Sequence, residues 1–108
     1  MTSGHNRDFA SVMDRLRANY LAGLNDKADR LSHALMGVRV GDDEAVASVA
    51  EQIHRLAGTA GSFGVHDVST AANTLDVKLH NGEEPSALTD EIEAFIQLLR
   101  TRCLPADG

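Results

Sequence analysis

Apolar side chains recur at every third or fourth position through most of this chain, a spacing that favours helices over strands. The clearest run, over 43–63, places its apolar residues on one narrow helical face: Val46, Val49, Ile53, Leu56, Ala60 and Phe63. The same spacing predicts further helices over about 8–40, 65–81 and 85–103. The two prolines interrupt none of these runs, because Pro85 suits the first turn of the last helix and Pro105 follows it. We therefore expect an all-α fold.

The connections between these runs are only a few residues long, and short connections favour antiparallel neighbours. The expected architecture is an up-and-down four-helix bundle, formed by a single domain over residues 1–108. Gly23 interrupts the first run, which is therefore either one kinked helix or two helices that meet near this glycine. The sequence leaves both alternatives open.

Composition excludes several classes of function. The net charge of −6 and the scattered basic residues argue against nucleic-acid binding, and no stretch approaches the roughly 20 apolar residues of a membrane span. The polar N-terminus lacks the apolar core of a signal peptide, which favours a cytoplasmic location. The lone Cys103 and the scattered histidines give no metal-ligand spacing, so no metal site is expected. The lack of a spare apolar helix face favours a monomer.

A histidine beside the apolar stripe is the most informative residue for function. His54 follows Ile53, so its side chain points about 100° away from the core direction. Its helical neighbours are mostly residues with very small side chains: Ala47, Ala50, Glu51, Ala57, Gly58 and Gly61. Each interior glycine costs about 1 kcal/mol of helix stability relative to alanine. A solvent-exposed helix face does not need glycines at this cost in stability. Their presence suggests that a large partner approaches the imidazole.

Neutral imidazole has one ring nitrogen free to act as a nucleophile, as phosphoryl transfer requires. Two alternatives stay open at this point. The glycines could instead allow close helix packing, with self-association through this strip as its extension. Hydrolytic catalysis is a weaker interpretation, because an isolated histidine lacks an orienting acid and a pocket.

The segment His54–Gly64 resembles the signature of histidine-containing phosphotransfer (HPt) domains, usually written H-x-L-K-G-[ST]-[AS]-x-x-[LF]-G. The matching residues are His54, Leu56, Gly58, Thr59, Ala60, Phe63 and Gly64. The stretch from Val65 to Asp76 is also similar to the third helix of the family. The resemblance implies a four-helix phosphocarrier that is phosphorylated on His54.

The same resemblance implies the partners of the protein. It would accept the phosphoryl group from the receiver domain of a hybrid histidine kinase and deliver it to a response regulator. It would have no kinase activity of its own and no cofactor, since Mg²⁺ would be held by the partner receiver domain.

One position departs from the family pattern, because Ala57 stands where many members carry a lysine that neutralises phosphate. We expect support for the phosphate from Arg55, Ala57 and Gly58. Partner docking is expected at the remaining members of the face: Ala47, Ala50, Glu51, Gly61 and Ser62. The missing lysine supports an alternative function, a helical adaptor that docks receiver domains or other partners without phosphotransfer.

Overall fold

The computed structural model describes residues 2–104, with side chains from Phe9 onward, and this part of the chain contains helices and no strand. The helices are α1 (Thr2–Ala22), α2 (Leu24–Arg39), α3 (Asp43–Ser62), α4 (His66–His80) and α5 (Thr89–Arg102), with a 3₁₀ turn at Pro85–Ala87. The prediction of an all-α fold is confirmed. None of the helices in this range is both long and apolar enough to span a bilayer.

The ends of two predicted helices differ from the structure. The first run forms two helices, α1 and α2, with Gly23 between them and outside both. The last helix begins at Thr89, so the predicted start at Pro85 was wrong. Pro85 and Leu88 are both buried, and the Leu88 amide donates to the Pro85 carbonyl at 3.0 Å. This tighter 3₁₀ turn brings both residues into the core before α5 begins.

Glycines in the left-handed region end α2, α3 and α4. At the end of α3, Gly64 has φ = 74°, and the Val65 amide donates to the Ala60 carbonyl at 2.9 Å. Gly41 and Gly82 act in the same way after α2 and α4. A residue with a Cβ would be strained at these positive φ angles. Each of these helices therefore ends two residues before its glycine, and the connections between the helices stay short.

The core lies between α2, α3, α4 and α5. Helix α3 packs against α2 and α4, and α5 packs against the same two helices. The most completely buried large side chains come from all four: Leu24, Leu31, Leu35, Val49, Ile53, Val68, Ile92, Ile96 and Leu99. These helices form the bundle, and their antiparallel order stays a prediction. Since α3 buries its stripe against both neighbours, its rotation about its own axis is fixed.

Helix α1 lies largely outside this bundle. All side chains from Phe9 to Asn19 are exposed, and the described chain measures 59 × 29 × 20 Å. Four large apolar side chains remain exposed on it: Phe9 at 68%, Val12 at 47%, Met13 at 42% and Leu16 at 46%. The expectation that no helix has a spare apolar face was therefore wrong. The expectation of a monomer, which depended on it, loses its basis.

The close approach of α2 to α3 can be tested at Gly37. A Cβ at this position would lie 2.5 Å from the Ala45 Cβ, so the two helices would have to separate. We expect Gly37→Ala to lower the free energy of unfolding by about 1–2 kcal/mol, because overpacking outweighs the gain in helix propensity. Chemical denaturation measures the change.

Gly58→Ala is the matched control, because a Cβ there would meet nothing within 4 Å. We expect it to raise the free energy of unfolding by up to about 1 kcal/mol. If Gly37→Ala and Gly58→Ala changed the free energy of unfolding in the same direction, the packing described for α2 and α3 would be contradicted.

Candidate functional site

His54 stands on the exposed side of α3 and contacts an acid on α4. Its side chain is 75% exposed, and its Nδ1 lies 3.1 Å from Oδ2 and 3.3 Å from Oδ1 of Asp76. Asp76 is less accessible, with 28% of its side chain exposed. A carboxylate beside Nδ1 favours the tautomer whose proton is on that nitrogen. The ring is then oriented with the lone pair on Nε2, the nitrogen that does not face Asp76.

Asp76 is the functional candidate that the sequence argument missed. From the sequence, His54 was expected to lack an orienting acid, and the contact with Asp76 corrects this expectation. A signal was present in the sequence. Asp76 follows the buried Leu75 just as His54 follows the buried Ile53, so each lies at the edge of a core stripe on neighbouring helices. Hydrolysis is still not favoured, because His54 is exposed and not enclosed in a pocket.

The two glycines near His54 differ in their surroundings. A Cβ at Gly61 would lie 3.1 Å from the Ser69 Oγ on α4, so close helix packing accounts for this glycine. A Cβ at Gly58 would meet nothing within 4 Å. Packing within the bundle therefore explains Gly61 and does not explain Gly58. The surface at Gly58, one turn from His54, is open to an approaching partner.

Most of the expected docking residues are accessible on α3. Ala50 is partly buried, and the others are exposed: Ala47, Glu51, Gly61 and Ser62. Their spacing from His54 places them on the same side of the helix. The Ser62 hydroxyl donates to the Gly58 carbonyl at 3.2 Å. These residues form a surface of mostly small side chains around the imidazole.

Ala57 does not lie where the phosphate site was expected. It is only 8% exposed and belongs to the core, and its carbonyl accepts a 3.4 Å hydrogen bond from the Ser69 hydroxyl on α4. It follows Ile53 by four residues, which turns its Cβ towards the buried side of α3. The expectation that this side chain supports a bound phosphate was therefore wrong.

Arg55 is exposed beside the site but already has a partner. One of its terminal nitrogens lies 2.6 Å from Oε1 of Glu51, one turn earlier on α3. Both side chains are largely exposed, and such surface pairs contribute only about 0.3–0.5 kcal/mol. A phosphoryl group at His54 could therefore compete with Glu51 for the guanidinium.

The end of α1 is attached to α3 just beyond this surface. The rings of Tyr20 and Phe63 stack with centroids 4.6 Å apart, and the Arg17 Nε donates to the Phe63 carbonyl at 3.1 Å. The Thr59 hydroxyl donates to the Arg55 carbonyl at 2.9 Å. Since this uses its only proton, the Tyr20 hydroxyl is the donor in its 2.8 Å contact with Thr59. These contacts fix where α1 leaves the bundle.

The part of the chain with described side chains contains no group of three or more histidine, cysteine, aspartate or glutamate residues that could hold a metal ion.

The family model for the Hpt domain matches residues 15–102 of the chain. The matched region includes His54, Asp76 and all of the expected site residues. A search of curated proteins and a search of solved structures each gave no significant match.

The junction between α1 and α3 gives a test through Tyr20. Burial raises the pKa of the Tyr20 hydroxyl above its usual value. The folded state therefore holds the proton more tightly than the unfolded state. The resulting contribution to the free energy of unfolding is fully present below about pH 10, the ordinary tyrosine pKa. It is lost as the pH rises through the pKa of Tyr20 in the folded state.

We expect Tyr20→Phe to lower the free energy of unfolding at neutral pH by about 0.5–1 kcal/mol, through loss of this hydrogen bond. The variant should also lose less stability than the wild type between neutral and strongly alkaline pH. Denaturation at both pH values measures the two effects. An equal loss of stability in the wild type and in Tyr20→Phe between the two pH values would contradict the raised pKa of Tyr20.

Proposed function

Since the chain belongs to the Hpt domain family, we propose that His54 accepts a phosphoryl group from a receiver-domain aspartyl phosphate and passes it to a response regulator. Hpt domains are phosphocarrier modules of phosphorelay signalling and not enzymes in their own right. The observation that carries the proposal is the exposed imidazole of His54, whose Nδ1 faces Asp76 and whose Nε2 is left for a partner.

The proposed transfer uses the Nε2 lone pair as the nucleophile. It attacks phosphorus, a bond forms between Nε2 and phosphorus, and the bond to the aspartate oxygen breaks as the receiver carboxylate leaves. The ring gains positive charge in this step, and the carboxylate of Asp76 beside Nδ1 stabilises it. Transfer to the second receiver is the reverse reaction with a different aspartate. Mg²⁺ would be held by each receiver domain.

The shape of the surface supports transfer between two proteins. Phosphoryl transfer needs the attacking nitrogen about 3–3.5 Å from phosphorus and in line with the bond to the leaving oxygen. Gly58 removes the side chain that would otherwise stand one turn from the imidazole. We propose that the receiver contacts the small-residue surface around it, formed by Ala47, Ala50, Glu51, Gly61 and Ser62.

Neutralisation of the phosphoryl charge is assigned to Arg55. The family lysine position is Ala57, which is buried here, whereas Arg55, the residue after His54, has an exposed guanidinium. Arg55 would exchange Glu51 for the phosphoryl oxygens when the group arrives. A docking adaptor without phosphotransfer is the second candidate, and the absence of a lysine at Ala57 favours it.

A phosphotransfer assay separates the two candidates. Phosphorylated receiver domains from the source organism are mixed with wild-type protein and with His54→Gln in the presence of Mg²⁺. We expect label only on the wild type. The free energies of unfolding of the two proteins should differ by no more than about 0.5 kcal/mol, because His54 is exposed. Binding of a receiver to both proteins, with label on neither, would establish the adaptor and exclude the carrier.

Asp76→Asn tests the proposed orientation of the imidazole. We expect uptake to slow about tenfold or more, which corresponds to about 1.4 kcal/mol in the barrier. The ¹⁵N chemical shifts of the His54 ring should show a smaller fraction of the tautomer protonated on Nδ1. Asp76→Glu should recover part of the rate. Unchanged uptake and tautomer populations in Asp76→Asn would remove Asp76 from the proposed mechanism.

Gly58→Gln tests the open approach to His54. Glutamine is a good helix former, so the variant should fold at least as stably as the wild type. We nevertheless expect phosphoryl uptake to fall tenfold or more, because the new side chain stands in the way of the receiver. Ala94→Gln, on the exposed surface of α5, is the matched control. Equal uptake by both variants would show that the receiver does not approach over Gly58.

A further inference from the structure

We propose that two copies of this chain pair through the α1 stripe, defined as Phe9, Val12, Met13 and Leu16. The inference goes beyond the proposed function and does not depend on it. All four side chains lie on one face of α1 and are 42–68% exposed. A contiguous apolar face that remains exposed on a folded chain marks an interaction site.

The spacing of the α1 stripe makes it complementary to itself. The four positions are symmetric about the midpoint between Val12 and Met13. Two α1 helices that cross antiparallel at this midpoint place Phe9 against the partner's Leu16, and Val12 against the partner's Met13. Each contact then occurs twice, as a two-fold symmetric interface requires. No residue of the stripe is left without an apolar partner.

The shape of the molecule leaves room for this pairing. The longest dimension is 59 Å, whereas the other two are 29 and 20 Å. The side chains over 9–19 are exposed, which agrees with an α1 that extends past the bundle. Stacking of Tyr20 on Phe63 fixes the base of α1, so the direction of the stripe is set before a second copy arrives.

The distribution of charge favours α1 over the surface around His54 as the place where two copies meet. The segment 9–19 carries only Asp14, Arg15 and Arg17, so its formal charge is close to balanced. The His54 side of α3 carries the acidic Asp43 and the Glu51–Arg55 ion pair, in a chain of net charge −6. Pairing of two copies through that surface would bring like charges together. Pairing through α1 avoids this repulsion and keeps His54 accessible in the dimer.

The stripe supports a weak and reversible dimer. The segment 9–19 is about 16 Å long as a helix. Four apolar side chains on it supply only part of the roughly 800 Å² per partner that a standard stable interface buries. We therefore expect association at protein concentrations of the order of tens to hundreds of micromolar.

Sedimentation velocity of the full chain over a range of concentrations tests the proposal. The wild type should shift from monomer to dimer as concentration rises. Val12→Glu/Leu16→Glu should remain monomeric throughout, because each added carboxylate would be buried against an apolar side chain of the other copy. Ser11→Glu/Ala18→Glu adds the same charge on the opposite face of α1 and should dimerise like the wild type. Circular dichroism checks that all three proteins are equally helical.

A wild type that stays monomeric, or two variants that both dimerise, would overturn the proposal. Phosphoryl uptake from a receiver is measured on the same proteins at concentrations where the wild type is monomeric. If only the stripe variant then loses uptake and no protein dimerises, the stripe binds the receiver and the dimer is excluded. Phosphoryl uptake by the wild type tests the proposed function independently of dimerisation. Failure of the dimer proposal can therefore be distinguished from failure of the proposed function.

Discussion

Burial of the apolar stripe on α3 determines where every other feature of the candidate site lies. Val49 and Ile53 are completely buried between α2 and α4, which fixes the rotation of α3. Each residue is turned about 100° from the one before it, so His54 must then lie at the edge of the core, next to α4. The same rotation buries Ala57 and exposes Gly58. A histidine held on a rigid helix keeps its position without the ordering cost of a loop.

The contact between His54 and Asp76 gives the two ring nitrogens different roles. Nδ1 is occupied by an acid that belongs to the bundle, whereas Nε2 faces away from it. The glycine at 58 keeps the approach open, at a cost in helix stability that packing does not explain. A phosphocarrier needs both features, because the imidazole must be oriented and also reachable by a second protein. An adaptor needs only an accessible surface.

The sequence predicted the ends of α2, α3 and α4 well because each has a strong apolar period and is followed by a glycine. Gly41 and Gly64 mark such ends, and both adopt positive φ. The start of α5 was predicted less well, because burial of Leu88 delays the helix, and burial depends on tertiary packing. His54 could be singled out from its small neighbours along α3. The position of Asp76 after a core leucine is visible in the sequence, but its contact with His54 is not, because that contact depends on how α3 and α4 pack.

Helix α1 shows a second limit of prediction from sequence. Its apolar spacing is as regular as that of the bundle helices, and the pattern alone does not distinguish a buried face from an exposed one. The structure makes that distinction, because only the end of α1 near Tyr20 and Leu21 packs against the bundle. The exposed stripe explains why the expectation of a monomer has to be reconsidered. It also separates a surface suited to self-association from the surface around His54.

The most direct test of the central claim is the site of the phosphoryl group itself. The ¹⁵N-labelled protein is phosphorylated by a receiver domain, and two-bond ¹H–¹⁵N spectra of the histidine rings are recorded with and without phosphorus decoupling. We predict one phosphorylated ring, His54, with phosphorus coupled to Nε2 and the proton retained on Nδ1. Phosphorus on Nδ1, on another histidine or on no histidine would contradict it.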